Sequence, residues 1–215
     1  MKRIDLIQGS VEWLEHRYGK IGGTRAKQLH VKSENLLIEL LSESTEDFEQ
    51  EDGFTSKDME RGNELEPYAV IELNKYTGLE FNSVGWLQHD TIKLLGISPD
   101  GITDDNKASC EIKCPAKKKH TSTVYYDEIP LDNLHQCIQY FVVNKELERH
   151  FFCSFRPENK IKQLFVKELT PESIVNLGTK AKPKNKTIKE WVLIIEGLAI
   201  ELQKDLDLAI EKISF

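Results

Sequence analysis

The chain has 215 residues, a net charge of −7, 39% hydrophobic and 30% charged residues. That length fits one domain, and the mix is that of a globular chain rather than a disordered or fibrous one. The acidic balance argues against a surface that binds nucleic acid everywhere, while leaving room for a local basic groove or an acidic metal site.

Taken in chain order, MKRIDLIQGSVEW lacks the apolar stretch of a secretory signal, and no run approaches the roughly 18 apolar residues of a membrane span; an intracellular, cytoplasmic protein with no membrane partner is expected. SVEWLEHR (10–17) reads as a short helix capped by Ser10. Gly22-Gly23 breaks the chain, and Thr24 is placed to cap a second helix before ENLLIELL forms a third. The acidic run 42–53 reads as a solvated loop. From Thr55 to Tyr76 the pattern is helical with Pro67 inside it, so the helix either starts near Glu64 or kinks at Pro67. After Gly78, three stretches rich in β-formers follow: LEFNSVGWLQHD, IKLLGISPDG and SCEIKCP. LDNLHQCIQYFVVNKE returns to helical spacing, HFFCSFRP and KIKQLFVKEL read as two further strands, and Lys-rich 179–187 reads as a loop. From Ile188, apolar residues recur every three or four positions, the mark of a long amphipathic helix. This order predicts an α/β domain with a mixed central sheet. Cys110, Cys114, Cys137 and Cys153 include no C-x-x-C pair and are expected as buried free thiols.

The chemistry concentrates in SPDGITDDNKASCEIKCP (98–115). In a strand, residues i and i+2 face the same way, so Glu111 and Lys113 project together and Ile112 points to the opposite layer. Asp100 ends the preceding strand, and the DDNK connection would bring it alongside. Two carboxylates and an ammonium on one face suit a hard divalent cation, Mg²⁺ or Mn²⁺, for hydrolysis at phosphorus. A lone E-x-K also arises as exposed strand decoration. Glu64 and Glu66, in ERGNELEPYAV, offer a further carboxylate from a helix.

Read together, GSVEWLEHRYGKIGGTRA, RGNELEPYAV, SPDG, EIKCP and LHQCIQYF, in this order across most of the chain, resemble the PD-(D/E)XK nuclease superfamily. Within it they resemble the lambda exonuclease, or YqaJ-type viral recombinase, family. The resemblance implies a PD-(D/E)XK restriction-endonuclease-like core, with a central mixed β-sheet flanked by helices. It divides the single domain into an N-terminal helical block (1–54), a nuclease core (55–170) and a C-terminal helix (188–215). It implies that Asp100 and Glu111, with the carbonyl of Ile112 and with Glu66 from the helix, hold the catalytic metal, and that Lys113 is the catalytic lysine. Glu66 matches better than Glu64 because the family's glutamate falls four places after the glycine. Asp90 matches a further acidic position. Arg17, Thr24 and Ser98 match positions that hold the 5′ phosphate at a DNA end, a role suited to a guanidinium and two hydroxyls. The family's Gln-x-Gln pair is altered here: Gln139 aligns with the second glutamine, Cys137 with the first, and Gln136 is the alternative.

The implied activity is Mg²⁺-dependent 5′→3′ digestion of one strand of linear double-stranded DNA. The 3′ tails left behind would serve a single-strand annealing partner, and a homotrimeric ring around the duplex is the implied assembly. An endonuclease on the same core and a catalytically silent DNA-binding adaptor are the rivals; the complete Asp100, Glu111 and Lys113 set argues against the second. An iron–sulfur exonuclease would need late cysteines, and none follows Cys153.

Overall fold

The computed structural model describes residues 1–50, 57–179 and 181–214. A short strand that the sequence does not announce, β1 (Lys2–Ile4), comes first. Helix α1 (Val11–Arg17) starts as expected: Ser10 is extended and its side-chain oxygen accepts the Trp13 N–H. The break at Gly22-Gly23 is real, but Thr24 caps nothing. It sits inside a 3₁₀ turn (Gly23–Arg25), and α2 (Ala26–His30) begins from Arg25 without a side-chain cap. Gly23 is required for space, since a Cβ there would lie 2.7 Å from Cγ of Gln136.

Helix α3 (Glu34–Thr45) runs through the first four residues of the acidic stretch expected as a loop. Its inner face, Leu36 and Leu40, is buried, and the Ser44 and Thr45 hydroxyls bond back to the Leu41 and Ser42 carbonyls. Residues 51–53 of that stretch lie outside the described residues. Helix α4 (Lys57–Thr77) does not wait for Glu64; it is one helix with Pro67 inside it. Burial of Ala69 and Leu73 against the sheet offsets the hydrogen bond that Pro67 removes. Gly78, at φ +71°, ends the helix and donates its N–H to the Asn74 carbonyl at 2.8 Å.

Two sheets follow. In the first, β1 pairs antiparallel with β2 (Trp86–Gln88), and β2 with β3 (Gly96–Ile97). The second has the order β4 (Gly101–Ile102), β5 (Ala108–Lys113), β6 (Arg149–Phe155), β7 (Leu164–Leu169). The β5–β6 pair is parallel and the outer pairs are antiparallel, which makes the sheet mixed as expected. The stretch IKLLGISPDG is therefore two strands in two sheets, split where Pro99 has no N–H for a ladder. Helices α5 (Lys117–Tyr126) and α6 (Leu131–Val143) make the crossover from β5 to β6. A small ribbon pairs β8 (Ile174–Asn176) with β9 (Asn185–Thr187), so the end of the Lys-rich stretch is strand rather than loop. Lys180 lies outside the described residues. Helix α7 (Ile188–Ile213) starts from a Thr187–Glu190 capping box.

The β4–β7 sheet is buried on both sides. One core joins α2, α3, α6 and α7 to the face that carries Phe152; the other packs Leu73 of α4 and Phe81 against Cys110, Ile112, Phe151 and Phe155. All four cysteines are free and buried, as expected. Among the described residues, no helix is long and apolar enough to cross a membrane.

Candidate active site

The site begins at the residue before β4. Gly101 pairs with Cys110 and Ile102 with Ser109. One step further, the register sets Asp100 opposite Glu111, and directly opposed residues of an antiparallel pair share a face. Position 99, which would face Ile112, is proline. The Ile112 N–H is met instead by the Asp100 carboxylate, Oδ2, at 2.6 Å. In a strand, one residue's N–H and C=O point to the same edge, so the Ile112 carbonyl also points to this edge rather than to β6.

Glu111 and Lys113 share a face of β5, as their spacing requires. The Lys113 ammonium pairs with Glu111 Oε1. Glu111 is fully buried, and its Oε2 accepts a hydrogen bond from the Tyr140 hydroxyl at 2.7 Å. Oε1 has no hydrogen-bond partner, so its contact is the ion pair alone. Burial disfavours charge on Lys113, yet Glu111 and Asp100 outweigh burial and raise its pKa. Burial first, and the Glu111 charge second, push the Asp100 carboxyl well above the usual carboxylate range. Glu66 is raised by burial, drawn down by Lys113 and raised by Glu111, which places its carboxylate within the electrostatic reach of the cluster. Glu64 is exposed on the same helix.

Tyr140 is the residue that sequence reasoning missed. It sits one turn beyond Gln136 on α6 and is 1% exposed, so an aromatic in an apolar helix hides a phenol that holds Glu111. Gln139 is also buried, but its amide donates to the Ile21 carbonyl at 3.3 Å. Gln136 packs on Gly23. Among the described residues, neither glutamine makes a hydrogen bond to Asp100, Glu111 or Lys113. Asp90 is further removed: its exposed carboxylate pairs with the Met1 amino group at 2.6 Å, at the end of β2.

The N-terminal block supplies a second constellation. The Arg17 guanidinium stacks on the Trp13 ring, 4.0 Å from its centroid. The Trp13 indole N–H reaches Ser98 Oγ at 3.0 Å and the Gly85 carbonyl at 2.8 Å. Trp13 thus joins Arg17 to Ser98, two residues before Asp100. Arg17 has no ion pair among the described residues, and burial with the nearby Arg25 lowers its pKa. A Cβ on Gly22 would stand 3.7 Å from the Arg17 guanidinium, which brings the turn bearing exposed Thr24 beside it.

The donor set suits a hard cation. Among the described residues, no three His, Cys, Asp or Glu side chains are gathered to hold an ion by themselves. Mg²⁺ does not require that: it takes one or two carboxylates and keeps several waters. Glu111 Oε1, buried and without a hydrogen bond, together with Asp100 and an edge carbonyl, fits that pattern.

The family model for the YqaJ-like viral recombinase domain matches residues 12–146, which span both constellations. The chain belongs to that family. Its fold is that of solved exonucleases. The alkaline exonuclease LHK-Exo of Laribacter hongkongensis is similar with a TM-score of 0.76 at 23% identity, covering 95% of this chain and 96% of that one. Its complex with dAMP gives a TM-score of 0.74 at 24% identity over the same shares. A phage-related exonuclease from Haemophilus somnus 129PT gives 0.58 at 13% identity, covering 90% of this chain and 96% of that one. No curated protein matches the chain. The family and the fold together support a nuclease.

Proposed function

We propose that the protein is a metal-dependent 5′→3′ exonuclease that hydrolyses one strand of linear double-stranded DNA and leaves 3′ overhangs for recombination. The observation that carries this reading is the convergence of Asp100, Glu111 and Lys113 at one sheet edge, with the Asp100 carboxylate on the Ile112 amide and the Lys113 ammonium on Glu111. The exonuclease names of the structurally similar proteins, one of them bound to a deoxynucleotide, favour DNA as substrate.

Asp100, Glu111 and the Ile112 carbonyl would hold Mg²⁺ or Mn²⁺, with Glu66 acting through water. The ion, when bound, polarises a phosphoryl oxygen and acidifies its water. Tyr140 fixes the Glu111 carboxylate so that Oε1 faces the site. Lys113 carries its proton next to the reacting phosphate, where it orients water and offsets the growing negative charge. Arg17, Thr24 and Ser98 would hold a terminal 5′ phosphate, with Trp13 setting the position of Arg17 and Ser98. Annealing proteins that coat single strands are the partners suited to such tails, and a trimer around the duplex belongs to the same reading.

End-labelled linear duplex with Mg²⁺ is the decisive substrate, with EDTA and closed-circular DNA as controls. Loss of label from the 5′ end, no cutting of the circle and no activity in EDTA are expected. Cutting of the circle would instead establish an endonuclease. Arg17→Ala should reduce the preference for 5′-phosphorylated over 5′-hydroxyl ends by about tenfold, the scale of one charged hydrogen bond. An unchanged preference removes Arg17 from the phosphate site.

A further inference from the structure

Helix α5 begins four residues after Lys113, and nothing so far gives it a task. Its inner face is anchored. Both ring nitrogens of buried His120 are engaged, with Ser154 Oγ of β6 at 2.9 Å and the Lys162 carbonyl at 2.7 Å. Thr123 is buried beside it. The opposite face carries Lys117, Lys118, Thr121, Ser122, Tyr125 and Tyr126, which together line one shallow depression of about 540 Å³. These residues fall in three rows one helical turn apart, about 6 Å along the axis.

The chemistry of this face is unusual for solvent. Tyr125 is 79% and Tyr126 61% exposed, and their rings meet edge to face at 5.0 Å. Lys117 and Lys118 form no salt bridge with any described residue, so two positive charges stand beside the solvent-exposed ring of Tyr125. On the far side of the ridge, Lys118, Lys119 and Tyr126 also line an open groove of about 1090 Å³. Unneutralised cations for phosphates, with aromatic faces for bases, are the two components of sequence-tolerant single-strand binding. A duplex would leave the rings unused, because its bases are already stacked.

We propose that the outer face of α5 is a platform for single-stranded DNA, and that it holds the undigested strand, with its free 3′ end, as that strand leaves the active site. This rests on the nuclease reading for its source of single strand. The choice of strand follows from placement: the strand being cut occupies the Asp100–Glu111–Lys113 edge, and the face a few residues on is open to the complement that hydrolysis leaves unpaired.

The test is fluorescence anisotropy in EDTA, which separates binding from cleavage. The probes are a blunt duplex, the same duplex with a 20-nucleotide thymidine tail at the 3′ end or at the 5′ end, and a fluorescent aspartate-rich peptide ending in phenylalanine. The 3′-tailed duplex should bind tightest. Tyr125→Ala should weaken it about tenfold, and Tyr125→Phe, which keeps the ring, should restore it. A Lys117→Ala/Lys118→Ala double variant should lower the slope of log affinity against log salt by about 1.4, or 0.7 per lost phosphate contact. Unchanged 3′-tail binding in Tyr125→Ala, with a wild-type circular dichroism spectrum, overturns the proposal. So does an equal loss on the 5′-tailed duplex, or Tyr125-dependent binding confined to the peptide, which would mark a protein partner. Wild-type protein that binds the 3′ tail through Tyr125 but fails to cut linear duplex with Mg²⁺ would defeat the nuclease reading and leave the platform standing.

Discussion

The two faces of the β4–β7 sheet are equally hidden from water and built from opposite chemistry. Toward α4 lie Cys110, Ile112, Phe151, Cys153 and Phe155, a face of carbon and thiol. Toward α6 and α5 lie Ser109, Glu111, Lys113, His150 and Ser154, with Phe152 among them, interleaved with the first set because strand neighbours alternate. The apolar face gains by burial alone. On the polar face hidden groups are costly unless partnered, and most of them are, Glu111 Oε1 and His150 Nε2 lacking a hydrogen bond. Ser109 Oγ meets His150 at 2.9 Å, Glu111 meets Tyr140 and Lys113, and Ser154 meets His120 at 2.9 Å. The α4 side carries packing alone, whereas the other side sets its polar groups beside the larger core through Phe152, Phe165 and Leu169.

Substitutions on the two faces should therefore separate activity from stability. On the polar side, Asp100→Ala or Lys113→Ala should reduce cleavage more than about 10³-fold while the circular dichroism spectrum is retained. Full activity in either variant breaks the assignment of the catalytic face. Phe151→Ala on the apolar side should cost about 3–5 kcal/mol in urea unfolding, with the cleavage rate per folded molecule near wild type. A specific loss of rate without loss of stability would show that the faces are not separable.

The faces should also fail at opposite ends of the pH scale. Burial lowers His150 to about 3 and keeps it neutral. The unfolded imidazole takes up a proton below about 6.5, so the contribution is complete above pH 6.5 and is lost as pH falls toward 3. At pH 5 this amounts to roughly 2 kcal/mol. Burial pushes the Cys114 thiol up to about 11 and Cys110 higher still. Unfolded thiols ionise above about 8.5, so the thiol contribution is complete below that pH and is lost as pH rises toward 11. Urea midpoints measured from pH 4 to 10 should trace a plateau bounded by these two limbs. Burial also lowers His30 to about 3 and His135 to about 4, so a His150→Gln variant should shrink the acid limb in part and leave the alkaline limb unchanged; an unaltered acid limb removes His150 as a cause.

The smallest expected effect is the sharpest probe of the polar face. Tyr140→Phe removes only the hydroxyl that donates to Glu111. Loss of a group that orients a metal ligand typically costs 10–100-fold in metal affinity or activity; about tenfold is expected here, read as a higher Mg²⁺ requirement. An unchanged Mg²⁺ dependence would mean that the phenol holds Glu111 for packing alone.

Residue order alone determined the periodic and local features. The i, i+2 spacing puts Glu111 and Lys113 on one face, the DDNK turn sets Asp100 beside them, Ser10 caps α1, and the apolar stripe from Ile188 becomes α7. These are properties of a strand, a turn or a helix face, each encoded within a few residues. Tertiary structure decided which distant groups meet. Tyr140 reaches Glu111 across 29 positions and Trp13 reaches Ser98 across 85, while Asp90 is carried away to Met1. Pro99 became the gap that leaves the Ile112 amide to Asp100. Pairings of this kind depend on the packing of whole elements, because a side chain's burial and its partner arise from the neighbours that the fold brings to it, and chain order within a segment does not specify them.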